Sequence, residues 1–195
     1  MIIFININID GYYIVSLIFG VLAVLSCLFV YLFPGRFHTL LFKMLFDIFS
    51  IFSLTFAYLS TNEALLLAGL ATNVVGVTRD IFFMFRKKGT WTDSYFWPFL
   101  FCSLYLLSLI FTYRGPLSLL PVFGSVINTS ALYLINQKRT KMITIVGQIL
   151  FITYYAILVN NSELLTILNL AASVVTLVSV ILGLILIYRK KYQFD

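Results

Sequence analysis

Seven runs of apolar residues, each about 20 residues long, constrain the fold of this chain more than any other feature. A helix needs about 20 apolar residues to cross the hydrocarbon core of a bilayer, so we interpret each run as a transmembrane helix. The runs occupy residues 12–33, 41–59, 64–85, 95–113, 117–135, 142–159 and 164–188. Only 10% of the residues are charged, against about 25% in soluble domains, which excludes soluble and disordered classes. The sequence therefore predicts an all-α polytopic membrane protein.

Basic residues fall on one side of the predicted helices. Alternate loops and the C-terminal tail hold 11 Lys and Arg residues, whereas the opposite loops hold only Arg114. The count includes Arg36 and Lys43, which we place in the first loop. Because cytoplasmic loops carry an excess of Lys and Arg, the N-terminus is predicted outside and the C-terminus in the cytoplasm. Basic residues in short runs between apolar spans are a topology signal, so the net charge of +6 predicts no nucleic-acid partner.

An internal repeat relates the third run to the seventh at a constant offset of 100 residues. Glu63 matches Glu163, the pair at 70–71 matches that at 170–171, and the pair at 74–75 matches that at 174–175. Residues 12–85 and 117–188 would then be two parallel triple-helix repeats, with 95–113 as a linker helix that restores direction. We treat residues 1–195 as a single membrane domain.

Polar residues gather on one face of several predicted helices. At 100° per residue, Asn73 and Arg79 share an arc of about 140° with small residues of the third run. The fifth run has a similar stripe that includes Asn128 and Thr129. Two interpretations stay open: the stripes line a central path for a small polar solute, or they form interhelical hydrogen bonds. The candidates for such a path are Asn73, Asn128, Asn169, Ser173, Ser125 and Gln148.

Charged residues inside the runs form a second group of candidates, namely Asp47, Arg79 and Asp80. Ionisable side chains within a bilayer are costly and usually face protein or water. Arg79 and Asp80 are about 100° apart on a helix, so we expect them not to face each other well. Asp47 lies at a depth where Arg79 could reach it, as a structural ion pair or as a cytoplasmic gate. Pro121 is either a hinge or a first-turn proline.

Motifs for catalysis are absent from the sequence. There is no Gly-rich phosphate loop, no nucleophile elbow and no metal-ligand spacing such as HExxH or paired CxxC. We therefore expect no enzymatic activity, no cofactor and no metal site.

The fifth run carries a family resemblance. Residues 119–132, LLPVFGSVINTSAL, with Arg79 ahead of the basic residues 86–88, resemble the YgjV-type bacterial inner membrane protein family. This resemblance implies a location in the bacterial cytoplasmic (inner) membrane. The family carries an Asn three residues before its Arg, whereas this chain has Gly76 there, so a role for that Asn does not carry over. The plan of three, one and three helices is similar to SWEET sugar transporters and their PQ-loop relatives, although the first run lacks their Pro-Gln pair.

These observations favour a small-solute transporter, or a transporter-like protein, with a polar site between the two repeats. The alternative is a non-transporting membrane protein with a structural, assembly, immunity or stress role, whose polar stripes only hold helices together. The expected partners are the lipid bilayer and a small polar solute, and the formation of a homo-oligomer is left open.

Overall fold

Seven helices make up the part of the chain that the structure describes. The computed structural model describes residues 11–33, 35–62, 64–86, 90–113, 115–158 and 164–189. The helices are α1 (Gly11–Phe29), α2 (Arg36–Thr61), α3 (Ala64–Met84), α4 (Phe96–Thr112), α5 (Leu119–Tyr133), α6 (Gln137–Leu158) and α7 (Leu164–Tyr188). Short 3₁₀ turns at Trp91–Asp93 and Pro116–Ser118 precede α4 and α5, and no strand occurs in the described ranges. The predicted all-α class is confirmed.

Four helices are long and apolar enough to cross a membrane, as far as the described residues extend. They are Gly11–Phe29, Arg36–Ser60, Gln137–Ile157 and Thr166–Tyr188. α4 and α5 are shorter, with 17 and 15 residues. At 1.5 Å per residue α5 extends about 23 Å, which is less than the roughly 30 Å of the hydrocarbon core. α3 has 21 residues and carries a buried arginine and a buried aspartate.

Two helices begin earlier than the apolar runs predict. α2 begins at residue 36 instead of 41, and α6 begins at residue 137 instead of 142. Arg36 and Lys43 therefore lie in α2, and their assignment to a loop is wrong. An apolar run marks only the part of a helix that lipid or protein can cover, whereas backbone hydrogen bonding continues through polar turns. Gly35, with φ of +98°, allows the chain to turn into α2.

A residue in the left-handed conformation ends α2. Asn62 has φ of 55°, and its N–H donates to Tyr58 O at 2.7 Å, which satisfies a carbonyl of the last turn. Asparagine adopts this conformation more readily than most residues. The predicted break between the second and third runs is therefore confirmed. Glu63 and its repeat counterpart Glu163 lie outside the described residues.

The helices pack in the order in which they follow one another along the chain. Each helix contacts the next, α4 lies between α3 and α5, and α7 returns to contact α1. α3 also touches α5 directly. The segments α1–α3 and α5–α7 therefore meet at two places, which we call the α1–α7 junction and the α3–α5 junction.

The α1–α7 junction is held by contacts with the main chain at the end of α1. Ser179 Oγ donates to Leu28 O at 2.9 Å and accepts from the N–H of Tyr31 at 3.1 Å. Lys141 of α6 donates to Tyr31 O at 3.0 Å, which satisfies a carbonyl beyond the last turn of α1. A Cβ at Gly183 would lie 2.6 Å from Lys141 Nζ and closer still to Tyr31 O. Only a glycine therefore lets α7 approach this closely.

Candidate functional site

A buried guanidinium group connects α3 with two neighbouring helices. The Arg79 side chain is almost completely buried, and its Nε and Nη2 atoms both lie 2.8 Å from Asp80 Oδ1. Arg79 Nη1 donates to the hydroxyl of Tyr105 on α4 at 3.2 Å and to Thr129 Oγ1 on α5 at 3.1 Å. The Arg79 side chain therefore forms its ion pair within its own helix, and its remaining N–H groups form hydrogen bonds across the α3–α5 junction.

The close contact of Arg79 with Asp80 corrects the sequence-based expectation. The two Cα–Cβ bonds point about 100° apart, and this angle was the reason to expect poor pairing. The arginine side chain is long enough to bend back toward the adjacent carboxylate, and its planar fork presents two nitrogens to one oxygen. The neighbour along the chain is therefore the nearest counter-ion of Arg79.

Asp47 of α2 joins the same network, as the sequence predicted. Its Oδ2 lies 3.7 Å from Arg79 Nη2, and its Oδ1 is in contact with Lys43 Nζ one turn earlier in α2. A Cβ at Gly76 of α3 would lie 3.0 Å from Asp47 Cγ and closer still to Oδ2. The carboxylate therefore rests directly against the backbone of α3, at a position that only glycine leaves open.

Two members of the network were missed by the sequence analysis. Lys43 was counted as a loop residue, although its spacing of four residues from Asp47 is the spacing of an ion pair on a helix face. Tyr105 lies on α4, whose sequence shows no polar stripe and gave no reason to single it out. We call the set Lys43, Asp47, Arg79, Asp80, Tyr105 and Thr129 the ionic network.

The ionic network contains two positive and two negative groups and is formally neutral. Neutral pairing is required because an isolated charge in the membrane interior costs about 2.5–3.5 kcal/mol even on lenient scales. Each carboxylate uses one oxygen for its cation, and the second oxygen, Oδ2 of Asp47 and Oδ2 of Asp80, is buried without a hydrogen-bond partner among the described residues. Two carboxylates are too few ligands for a metal ion, and the described residues contain no group of three metal-ligating side chains.

Asn128 is the most buried amide among the candidates for a solute path. Its Oδ1 has no hydrogen-bond partner in the described part of the chain. A Cβ at Gly147 of α6 would lie 2.9 Å from Asn128 Cγ and closer still to Oδ1, so the amide points toward α6. Gln148, the residue after this glycine, is also buried. The structure thus brings Asn128 and the Gly147–Gln148 segment together between α5 and α6.

The remaining path candidates are spread over the other helices. Asn73, Asn169 and Ser125 are half-buried, on α3, α7 and α5. Ser173 is buried, and its hydroxyl donates to Asn169 O at 2.9 Å within α7. Pro121 is the third residue of α5, where the N–H that proline lacks would have no partner in the helix. This position favours the first-turn interpretation of the proline over a hinge.

A second set of contacts closes the α3–α5 junction beyond the end of α3. Arg86 Nη2 lies 2.6 Å from Asp93 Oδ1, and the guanidinium carbon is 3.6 Å from the ring centroid of Tyr133. Arg86 Nη1 also donates to Tyr133 O, which is the last carbonyl of α5. The Tyr133 hydroxyl donates to Asp93 O at 2.7 Å. A cation from the first half of the chain thereby satisfies the C-terminus of a helix in the second half.

Apolar helices of membrane length packed around buried polar groups define a polytopic helical membrane protein. The sequence model of the Imp-YgjV family, described as bacterial inner membrane protein, matches residues 14–191. The match covers most of the chain, and the protein belongs to this family. No curated protein and no solved structure matches the chain. The resemblance to the YgjV-type family is confirmed, and the family's description agrees with the predicted inner-membrane location.

Proposed function

We propose that this protein is a small-solute transporter of the bacterial inner membrane, and that the ionic network is its cytoplasmic gate. The observation that carries the proposal is the position of Arg79, which is fully buried and contacts α2, α4 and α5 from α3. It therefore bridges the first and second halves of the chain at the α3–α5 junction. No catalytic step and no cofactor form part of the proposal.

The division of contacts around Arg79 suits a gate. Its charge is neutralised by Asp80 in the same helix, so the pair can move with α3 without exposing an unpaired charge. Opening the junction would break the hydrogen bonds that Arg79 donates to the hydroxyls of Tyr105 and Thr129, together with the contacts between Arg86 and Tyr133. Interhelical hydrogen bonds in membranes contribute about 0.6 kcal/mol on average and at most about 1.7 kcal/mol. Each hydroxyl bond of Arg79 would thus contribute only a small part of the free energy of closure, and opening would leave the Arg79–Asp80 ion pair intact.

The proposal includes seven membrane crossings arranged as two parallel three-helix repeats. The contacts at the α1–α7 and α3–α5 junctions support this arrangement of repeats. Arg79 in α3 contacts Thr129 in α5, and its counterpart at the offset of 100, Ser179 in α7, contacts Leu28 in α1. Adding the same offset to position 28 gives Asn128, the neighbour of Thr129. The offset found between the third and seventh runs therefore brings the contacts of the two junctions to within one residue of each other, which supports the repeat.

Three further crossings are needed beyond the four helices of membrane length. α3 would cross with its charges paired inside the protein. α4 and α5 would cross with little tilt, or where the bilayer thins locally, which costs a fraction of a kcal/mol per Å of mismatch. The basic residues support an outside N-terminus and a cytoplasmic C-terminus, since α2 and α6 begin, and α3 and α7 end, near basic residues.

A non-transporting role as a structural, assembly, immunity or stress factor is the second candidate. It is favoured by the hydroxyl groups of Ser173 and Thr176, which are satisfied within α7 by backbone carbonyls at 2.9 and 2.7 Å. Polar residues paired in this way hold a helix bundle together without offering groups to a solute. Solute uptake separates the two roles.

The test measures uptake by purified protein in proteoliposomes against a panel of sugars, amino acids and organic acids. Thr129→Val and Tyr105→Phe each remove one hydroxyl from the α3–α5 junction and leave all charges in place. Both should change the uptake rate of any transported solute, because the closed gate loses one bond to Arg79. Thr153→Val is the matched control, since Thr153 is exposed and bonds within α6 at 2.9 Å. Absence of uptake across the panel would refute transport, and wild-type rates in both variants would refute the gate.

A further inference from the structure

We propose that the Asp47–Asp80 carboxylate pair binds one exchangeable proton. The role of this proton as the coupling ion rests on the proposed transport function, whereas the proton site itself does not. The pair belongs to the ionic network but has a feature that an ordinary ion-pair network lacks. Both carboxylates keep a buried oxygen without a hydrogen-bond partner among the described residues, although each also contacts a cation.

The two carboxylates that carry these unpartnered oxygens contact the same nitrogen atom, Nη2 of Arg79. Arg79 Nη2 lies 2.8 Å from Asp80 Oδ1 and 3.7 Å from Asp47 Oδ2, and it makes no well-aligned hydrogen bond among the described residues. A buried carboxylate oxygen without a hydrogen-bond donor is costly, because nothing replaces the water that it loses on burial. Adding a proton to one of these oxygens removes a charge that the site satisfies only in part.

The packing around Asp47 leaves room for its Oδ2 atom and for no larger group. Gly76 removes the Cβ that would otherwise meet the carboxylate from α3. The side chains of Asp47 and Asp80 are almost completely buried, with exposed fractions of 3% and 0%. A metal ion would need several oxygen ligands and would meet Lys43 and Arg79 directly. The geometry therefore suits a proton rather than a metal cation.

The groups that face the pair come from five helices and from Tyr31, which follows the end of α1. α2 contributes Lys43, and α3 contributes Arg79. The hydroxyls of Tyr105 and Thr129 come from α4 and α5, and the thiol of Cys27 comes from α1. The hydroxyl of Tyr31 is itself paired with that of Thr144 at 3.2 Å. The positive groups oppose protonation, and the mutual repulsion of two carboxylates held by one guanidinium favours it.

The binding step is a simple addition. A hydronium ion gives up a proton and becomes water, and the proton forms an O–H bond with one Oδ2 atom. That carboxylate becomes neutral, and the net charge of the network rises from zero to plus one. Lys43 can carry the excess charge to water, because its side chain is 17% exposed whereas that of Arg79 is 3% exposed. Arg79 and the remaining carboxylate stay paired. A proton on Asp47 would thus loosen the link between α2 and α3 and leave the charge of Arg79 neutralised by Asp80.

The test is infrared difference spectroscopy on the full chain in liposomes, comparing about pH 8 with about pH 5. The carbonyl band of a protonated carboxylic acid is separate from that of a carboxylate. Wild-type protein should gain a carboxylic-acid band at low pH, and Asp47→Asn and Asp80→Asn should both lose it. Asp93→Asn is the matched control and should keep the band, because Asp93 pairs with Arg86 outside the network. A wild-type protein without the band, or a band that survives both substitutions, overturns the proposal.

A second variant decides the question if the asparagine variants do not fold. Lys43→Gln removes the cation in contact with Asp47, so the midpoint of the band should move to higher pH. An unchanged midpoint also overturns the proposal. The spectroscopic readout needs no solute, which separates this inference from the transport function. Protein that shows the band but no uptake keeps the proton site and loses the transport role, and uptake without the band gives the reverse.

Discussion

Replacing Gly76 with alanine should disturb the ionic network through the smallest change that the chain allows. The added Cβ would lie 3.0 Å from Asp47 Cγ, whereas ordinary contact begins at 3.4 Å, and Oδ2 would be closer still. The carboxylate would have to retreat by at least 0.4 Å, the difference between these two distances. It cannot do so freely, because Lys43 holds its other oxygen. Retreat lengthens either this contact or the 3.7 Å contact with Arg79.

Two opposing terms set the size of the effect. Overpacking a well-packed site costs about 1–3 kcal/mol. Replacing glycine by alanine within a helix recovers about 1 kcal/mol of helix propensity. Gly69→Ala is the matched control, since it gains the same propensity in α3 and meets only the movable Leu54 Cδ1 at 3.1 Å. We therefore expect Gly76→Ala to be about 1–2 kcal/mol less stable than Gly69→Ala.

The assay is thermal unfolding of both variants in the same detergent. For a chain of this size, about 1 kcal/mol corresponds to a Tm difference of about 2–4 °C. Gly76→Ala should also change the pH dependence of stability, because the displaced carboxylate belongs to the proposed proton site. Equal Tm values for the two alanine variants would show that Asp47 moves aside without cost, and would refute the claim that only glycine at position 76 accommodates its carboxylate.

Three further substitutions test the packing and the charges. Gly183→Ala should cost about 3 kcal/mol, at the upper end for overpacking, because the new Cβ meets Tyr31 O of the main chain; reduced folded yield and Tm report this loss. Arg79→Lys should cost about 3 kcal/mol in the same unfolding assay, since one ammonium group cannot replace the two nitrogens that contact Asp80. Asp93→Asn should change stability by about 1 kcal/mol or less, because its ion pair is partly exposed and screened by salt. A larger loss for Asp93→Asn than for Arg79→Lys would contradict this order.

The helices could be predicted from the sequence because a backbone within lipid must satisfy its own hydrogen bonds. An apolar run of sufficient length therefore specifies a helix, as α7 illustrates with bounds equal to those of its run. Helix starts could not be predicted in the same way. The first turns of α2 are polar and amphipathic, so residues such as Arg36 resemble a loop although they are helical.

Contacts within the candidate site could be predicted only between residues that lie at the same depth in the membrane on adjacent helices. Asp47 and Arg79 lie at similar depths on adjacent helices, and their contact was expected correctly. The contacts of Arg79 with Tyr105 and Thr129 depend on α4 packing between α3 and α5, which helix periodicity does not specify. The backbone angle of about 100° predicts that Arg79 and Asp80 face each other poorly, but the long arginine side chain bends back to the adjacent carboxylate.

The two junctions differ in a way that bears on how the halves of the chain would move. At the α1–α7 junction, Ser179 and Lys141 bind main-chain atoms, and Gly183 brings α7 close to the end of α1. Such contacts fix side chains of α6 and α7 to the main chain at the end of α1 and leave little freedom. At the α3–α5 junction, the ionic network joins the helices through long side chains and hydroxyl groups, with α4 between them. Under the proposed transport function, the halves would pivot at the α1–α7 junction and open at the α3–α5 junction, where Arg79 can release Thr129 while remaining paired with Asp80.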